Sequence, residues 1–178
     1  MAVTPFITPA AEGGGAPAAP PPQWLSEEER AAWLSILRVM AKLPSALDAQ
    51  LERDAGLNYF EYIVLAMLSE QPDRILQMSE LAAVTNASLS RLSHVAKRLE
   101  TRGLMRREPD PRDGRRTNAV LTQAGLDTVV RTAPGHVAAV RALVIGALSP
   151  GQLRQLRGAN ERILARIDPD AVTKPPTG

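Results

Sequence analysis

The sequence predicts a mainly α (α+β) fold, and three observations carry that expectation. Apolar residues recur at helical intervals across 24–56 and again across 122–167, each run opened by a capping signal. Between these runs a short helix, a tight turn and a longer helix follow one another, and after Gly103 the period changes from helical to extended. The extended stretch doubles back through Pro, Asp and Gly residues, which sets a small β-hairpin into an otherwise helical chain.

Each element has its own justification. Residues 1–23 are dominated by Ala, Pro and Gly with almost no charge, so they bury too little apolar surface to offset their ordering entropy; a disordered arm is expected. Ser26 and Glu29 stand at capping-box spacing with three acids in the first turn. Leu34, Leu37, Ala41, Leu47 and Leu51 then recur along one helix over 24–56, which Gly56 stops. Such a helix is about 42 Å long at 1.5 Å per residue, more than a small domain needs for itself. Pro44 predicts a kink or break near Lys42.

A second helix is expected over Tyr59–Glu70, with Phe60, Ile63, Val64 and Met67 inward. Gln71-Pro72-Asp73 reads as a turn and Ile75–Gln77 as a very short strand. Ser79 is placed to cap a short helix ending near Val84, and Ser88 to cap a longer one over Leu89–Arg102. Leu104–Arg107 and Asn118–Leu121 pair as a hairpin around the Pro109–Arg116 loop. Thr122 caps a long helix with Leu126, Val129, Val130, Ala133, Val137, Val140 and Val144 along one side, bent by Pro134-Gly135. Ser149-Pro150 with Gln152 opens the last helix, whose stripe is Leu153, Leu156, Ile163 and Ile167. The Pro-containing tail over 168–178 is expected to be flexible.

Composition narrows the function classes. At 178 residues and 44% hydrophobic, with 3% aromatic, the chain can bury one core built from Leu, Val, Ile and Ala. The absence of cysteine excludes disulfides, thiolate metal sites and a thiol redox switch. The two histidines, His94 and His136, are too far apart to suggest a metal site, and no cofactor is expected. No apolar run approaches the roughly 18 residues of a membrane span, and the N-terminus lacks a secretory pattern. The reading is a soluble cytoplasmic protein with no membrane partner.

Net charge becomes informative once divided. Between Asn86 and Asn118 there are nine Lys/Arg and four Asp/Glu, whereas the rest of the chain has twelve basic and fifteen acidic residues. Positive charge concentrated in one segment fits a polyanion-binding surface, although a solvated basic face would also show it. In the Leu89–Arg102 helix, Leu89, Leu92, Val95, Ala96 and Leu99 form the core face, and Ser90, Arg91, Ser93, His94, Lys97 and Arg98 the open face. Short hydroxyls mixed with Arg and His let a helix approach base edges in a major groove while still offering donors. Arg106, Arg107, Arg112, Arg115 and Arg116 crowd a loop shaped by Asp110, Pro111 and Asp113, suited to the negative potential of a narrow minor groove. Asp113 is placed to pair with Arg115. Helix, spacing and hairpin together make 57–121 a winged helix-turn-helix for double-stranded DNA.

Leu99-Glu100-x-x-Gly103-Leu104-Met105, then Asp113-Gly114-Arg115, then Leu121-Thr122-x-x-Gly125 resembles the signature of the multiple-antibiotic-resistance regulator (MarR) family. The resemblance spans roughly Ala31 to Ile167. It implies a homodimeric winged-helix transcription factor, often a repressor, that a small-molecule effector releases from DNA. It also implies that Ser88–Arg98 is the recognition helix, that Asp113 and Arg115 are the paired wing residues, and that Arg112 and Arg116 flank them. His94 stands where arginine is common in the family and Arg91 where a small residue is usual, departures that bear on base preference rather than binding mode. The helices over 24–56 and 122–167 expose more apolar face than one winged-helix unit can cover, which independently points to dimerisation. Two units would read half-sites about one helical turn apart on a pseudo-palindromic operator.

The family's ligand pocket lies between dimer helices and DNA-binding unit, and Trp33, Tyr59, Tyr62 and His136 are the candidates for lining it; simple packing is the plainer account of each. The lack of cysteine excludes the peroxide-sensing chemistry of some relatives. An enzyme is not expected: there is no phosphate-binding glycine loop, no metal spacing, and Ser93 cannot face the adjacent His94 on a helix. An activator, or an architectural or protein-interaction module without ligand response, is the alternative within the same fold.

Overall fold

The computed structural model describes residues 23–169, so nearly all of the expected arm over 1–23 and tail over 168–178 lies outside the described residues. The chain divides into two units, residues 1–37 and 38–178. In the first, the reciprocal Ser26–Glu29 box opens α1: the Ser26 N–H donates to Glu29 Oε2 at 2.8 Å and the Glu29 N–H to Ser26 Oγ at 3.2 Å. Trp24, Leu25, Trp33 and Ile36 are exposed there.

Helix α1 runs Glu27–Ala55 and passes through Pro44 without ending, contrary to the break expected near Lys42. A proline removes its own N–H and frees the carbonyl four residues back. Both Pro44 and Met40 are exposed, so the freed carbonyl lies on the solvent side of the helix, where a proline is tolerated. Helix α5 (Gln123–Leu143) likewise continues through Pro134.

The second unit builds its core on leucine, as composition predicts. Leu51, Leu57, Leu65, Leu68, Leu81, Leu92 and Leu99 are fully buried, Leu57 from the link between α1 and α2 and the others from α1, α2 (Tyr59–Ser69), α3 (Met78–Val84) and α4 (Leu89–Thr101). The inward face of α2 is Glu61, Tyr62, Val64, Leu65 and Leu68; of the expected set only Val64 is fully buried, while Phe60, Ile63 and Met67 sit at its margin. A helix that is apolar nearly all round gives no sharp stripe to read, and the tertiary fit decided its rotation. Helix α3 begins at Met78 after the cap Gln77, two residues ahead of the cap expected at Ser79; Glu80 reaches back to accept the Gln77 N–H at 3.3 Å.

Three antiparallel strands close the unit in the order β1-β3-β2: β1 (Ile75–Gln77), β3 (Thr117–Leu121) and β2 (Met105–Pro109). Met105 pairs with Leu121 and Pro109 with Thr117, so the expected hairpin forms, with β2 starting at Met105 rather than Leu104 and both strands running further into the loop, to Pro109 and Thr117. Within α5 the buried positions are Gly125, Thr128, Val129 and Thr132; Val130 and Val137, placed inward from the sequence, are exposed. A short 3-10 turn (Ile145–Ala147) leads to α6 (Pro150–Ile167), capped by Ser149 and Gln152 as expected. No residue of α6 is buried, although its stripe is apolar.

Candidate nucleic-acid interface

Local chemistry sets the entry to α4. Helix α3 ends with Asn86 in the left-handed region (φ 49°), and the Asn86 and Ala87 N–H groups donate back to Ala83 O and Ala82 O at 3.1 and 2.9 Å. This is the Schellman pattern, which asparagine tolerates better than a branched residue. One residue later Ser88 Oγ accepts the Arg91 N–H at 3.2 Å and caps α4. Ser88, assigned to DNA from the sequence, is therefore engaged in starting the helix. The far end of α4 repeats the pattern with Gly103 (φ 69°), the Gly103 and Leu104 N–H groups donating to Glu100 O and Leu99 O at 2.9 and 3.0 Å.

Between these caps α4 presents three faces at about 100° per residue. Leu92, Val95, Ala96 and Leu99 are buried, as expected, but Leu89 is 55% exposed at the first turn, outside the reach of the core. Ser90, Ser93, His94 and Lys97 fall at i, i+3, i+4 and i+7 and are all exposed, so they form one open face. Arg91 and Arg98 lie on a third face. The Arg91 guanidinium stacks over the Phe60 ring at 4.2 Å, and Arg98 Nη2 pairs with Glu61 Oε1 at 3.0 Å. The expectation that all six polar residues share the reading face is corrected on this point. Amphipathic spacing separates core from surface but does not tell which surface residues meet a neighbouring helix.

Aspartates build the wing loop. Asp110 Oδ1 accepts the Arg112 and Asp113 N–H groups at 2.7 and 3.2 Å, which holds its carboxyl below the usual carboxylate range. Across the loop the Asp110 N–H donates to Arg116 O at 2.9 Å and the Arg116 N–H to Asp113 O at 2.8 Å. Asp113 accepts the backbone N–H of Arg115 at 3.1 Å, yet its ion pair is with Arg116, at 3.3 Å, not with Arg115 as expected. An i,i+3 reach suits the long arginine stem, whereas Arg115 gives the loop only its N–H and its exposed side chain borders the cleft beside α4. Among the described residues, no ion pair or hydrogen bond engages the Arg115 guanidinium.

Arg107, grouped with the exposed loop from the sequence, belongs to β2 and is partly covered. Its N–H, Nε and Nη2 donate to Glu100 at 2.8, 3.0 and 2.7 Å, tying the hairpin to the end of α4. That arginine holds the Glu100 carboxyl below its ordinary value. Neither Glu100 nor the buried Glu61 was picked out as functional by sequence reasoning. Glu100 stood in the family signature without a role of its own, and Glu61 stands at capping-box spacing from Asn58. Wing and helix then border a common cleft of about 350 Å³, lined by Ser93 from α4, Arg107 from β2, Arg115 and Arg116 from the loop, and Gln77 and Ser79.

The remaining candidates divide. Tyr62 and His136 pack ring to ring at 4.7 Å, with Tyr59 at 6.1 Å from the same histidine. His136 Nδ1 is buried without a hydrogen-bond partner, as is Gln50 Oε1. Trp33 belongs to the first unit, where it is 45% exposed. Burial pushes the Tyr62 phenol up and holds His136 below its ordinary 6.5. The unfolded chain therefore takes up a proton near 6.5 that the folded chain resists, so stability falls as pH drops through that value. Thermal melts at about pH 8 and about pH 5.5 should show a drop that His136→Phe removes. An equal drop in the variant would assign the slope elsewhere. The Glu100 contribution is lost at lower pH, below its ordinary 4.5.

Comparison with known proteins places this geometry. Residues 55–116 match the model of the MarR family. The crystal structure of Sco3205, a MarR family transcriptional regulator from Streptomyces coelicolor in complex with DNA, is 41% identical, with a TM-score of 0.81 over 84% of this chain and 94% of that one. The uncharacterized HTH-type transcriptional regulator YkoM of Bacillus subtilis is 28% identical over 135 residues, 74% of this chain and 85% of the relative. The transcriptional repressor MprA of Escherichia coli is 27% identical over 113 residues, 64% of each chain. The family is one of transcriptional regulators and not of enzymes. With a helix-turn-helix, an arginine-bearing wing and a 41% identical relative matched along most of its length, the chain belongs to the MarR family of DNA-binding winged-helix transcriptional regulators.

Proposed function

We propose that the protein is a ligand-responsive repressor acting in the cytoplasm as a homodimer on a pseudo-palindromic operator. The observation that carries this reading is the common cleft, in which Ser93 of the helix and Arg115 and Arg116 of the wing face the same space. Ser90, Ser93, His94 and Lys97 approach base edges in the major groove. Arg112, Arg115 and Arg116, on a loop shaped by Asp113, lie along the adjoining minor groove.

Dimerisation is supported by α6, whose Leu156, Ile163, Leu164 and Ile167 are exposed although the helix carries a regular apolar stripe. A second copy is the economical cover for such a face. The repressor role draws on the name of MprA. Effector response draws on Tyr59, Tyr62 and His136, where a buried acceptor without a partner offers a small molecule one hydrogen bond between two phenol rings.

Selection from random duplex DNA, read by sequencing, tests the reading directly. The expected product is an inverted repeat with half-sites about 10 base pairs apart. Failure to enrich any sequence at low ionic strength overturns it. His94→Ala should relax preference at one symmetric pair of positions, with about 1–3 kcal/mol of discrimination lost there. An unchanged selected sequence would mean that His94 reads no base. Sizing at micromolar concentration should return a dimer, and a clean monomer would contradict the two-half-site model.

A further inference from the structure

Two arginines of α4 and a third at its C-cap share the face left over by the core and the reading surface. Arg91, Arg98 and Arg102 are spaced at i, i+7 and i+11, which places them within about 40° of one another around the helix. All three dock on a single corner between Ala55 and Glu61, where α1 ends and α2 begins. Arg91 lies over Phe60. Arg98 meets Glu61, and Arg102 donates to Gly56 O at 2.7 Å and Ala55 O at 3.0 Å.

The physical chemistry commits these side chains to the protein. Glu61 is 1% exposed, and its other oxygen already accepts the Asn58 N–H at 3.0 Å. Were Arg98 to leave for a phosphate, a buried carboxylate would lose its counter-charge, a costly exchange. The carbonyls of Ala55 and Gly56 are among the last of a long helix and have no partner further along it, so the forked Arg102 head satisfies two orphan acceptors at the negative end of α1. A lysine could not reach both at once. Helix α1 also carries exposed Val39 and Met40, part of the apolar surface left open in a single chain. Arg102 thus joins the recognition helix to a helix that a second subunit would cover.

We propose that Arg91, Arg98 and Arg102 are positioning residues that seat α4 on the α1–α2 corner and so set the half-site separation the protein accepts, without reading bases. The proposal rests on the homodimer reading above. One added base pair moves a half-site by about 3.4 Å and turns it by about 35°. A firmly seated pair of helices rejects that displacement, and a loosened pair follows it.

The experiment uses the full chain and the selected operator, with the spacer between half-sites lengthened or shortened by one base pair. Affinities are measured for the natural protein, Arg102→Gln, Arg102→Lys and Glu61→Gln, each checked for folding by circular dichroism. The natural protein is expected to lose affinity by about tenfold or more on the altered spacers. In the three variants that penalty should shrink to about threefold or less, with base preference inside each half-site unchanged. Arg102→Lys keeps the charge and decides the matter should Arg102→Gln fail to fold. Variants that keep the full spacing penalty, or that weaken equally on every spacer with a reduced salt slope, overturn the proposal and make these arginines phosphate contacts. A natural protein indifferent to spacing overturns the homodimer reading itself, and the proposal with it.

Discussion

Gly125→Ala is expected to lower the thermal midpoint strongly, although alanine is the better helix former by about 1 kcal/mol. A β-carbon at this position, in the first turn of α5, would overlap the carbonyl oxygen of Leu104 and come within 2.7 Å of Leu121 Cδ1. The decisive overlap is with the Leu104 carbonyl, which is backbone, whereas Leu121 Cδ1 is the end of a side chain. The Leu104 oxygen accepts the Thr122 N–H at 3.2 Å, and Leu121 is fixed in β3 opposite Met105. Thr122 in turn donates its hydroxyl to Gly103 O at 2.7 Å and caps α5 by accepting the Gly125 N–H at 3.0 Å. The glycine therefore sits where the end of α4, the base of the hairpin and the start of α5 converge. Overpacking such a site costs about 3 kcal/mol, a fall of roughly 6–12 °C for a chain of this size. Calorimetry decides it; an unchanged or raised midpoint would show that the Leu104 carbonyl moves aside freely.

Arg115→Ala should leave the fold intact and weaken duplex binding to a similar extent on all sequences. Only the backbone N–H of Arg115 takes part in the loop, while its side chain borders the cleft shared with Ser93. Removing one phosphate-neutralising cation lowers the slope of log affinity against log salt by about one unit. Titrations at several salt concentrations, on the selected operator and on an unrelated duplex, measure that slope. Retained affinity and slope would take the wing out of the binding mechanism. Removing the neighbouring Arg107 would be a different experiment, because its three bonds to Glu100 hold the hairpin against α4.

These two positions illustrate what was legible in the residues. The Thr122 and Ser88 caps, the Ser149–Gln152 box and the existence of the hairpin follow from interactions among residues close in the chain, and each was readable. The signature Gly103-Leu104 and Leu121-Thr122-x-x-Gly125 marked the family, but its reason is steric: the two segments close on one another with no room for a side chain at Gly125. Polar and apolar spacing identified α4 and its core face correctly, apart from exposed Leu89. It could not separate Arg91 and Arg98 from Ser90, Ser93, His94 and Lys97, since all are surface residues of one basic helix. Their difference lies in Phe60 and Glu61, some thirty residues earlier.

From the amino-acid order alone came most of the helix caps, though not the start of α3 or the passage of α1 through Pro44, together with the hairpin, the concentration of cations within one segment and the family to which the pattern belongs. These rest on local hydrogen bonding, residue periodicity and charge, which need no knowledge of distant neighbours. The tertiary structure alone decided which arginines face solvent and which are held: Arg98 by a buried Glu61, Arg102 by the end of α1, Arg107 by Glu100. The physical reason is that a long cationic side chain takes its role from the acceptor within its reach, and that acceptor is supplied by packing of segments far apart in the chain.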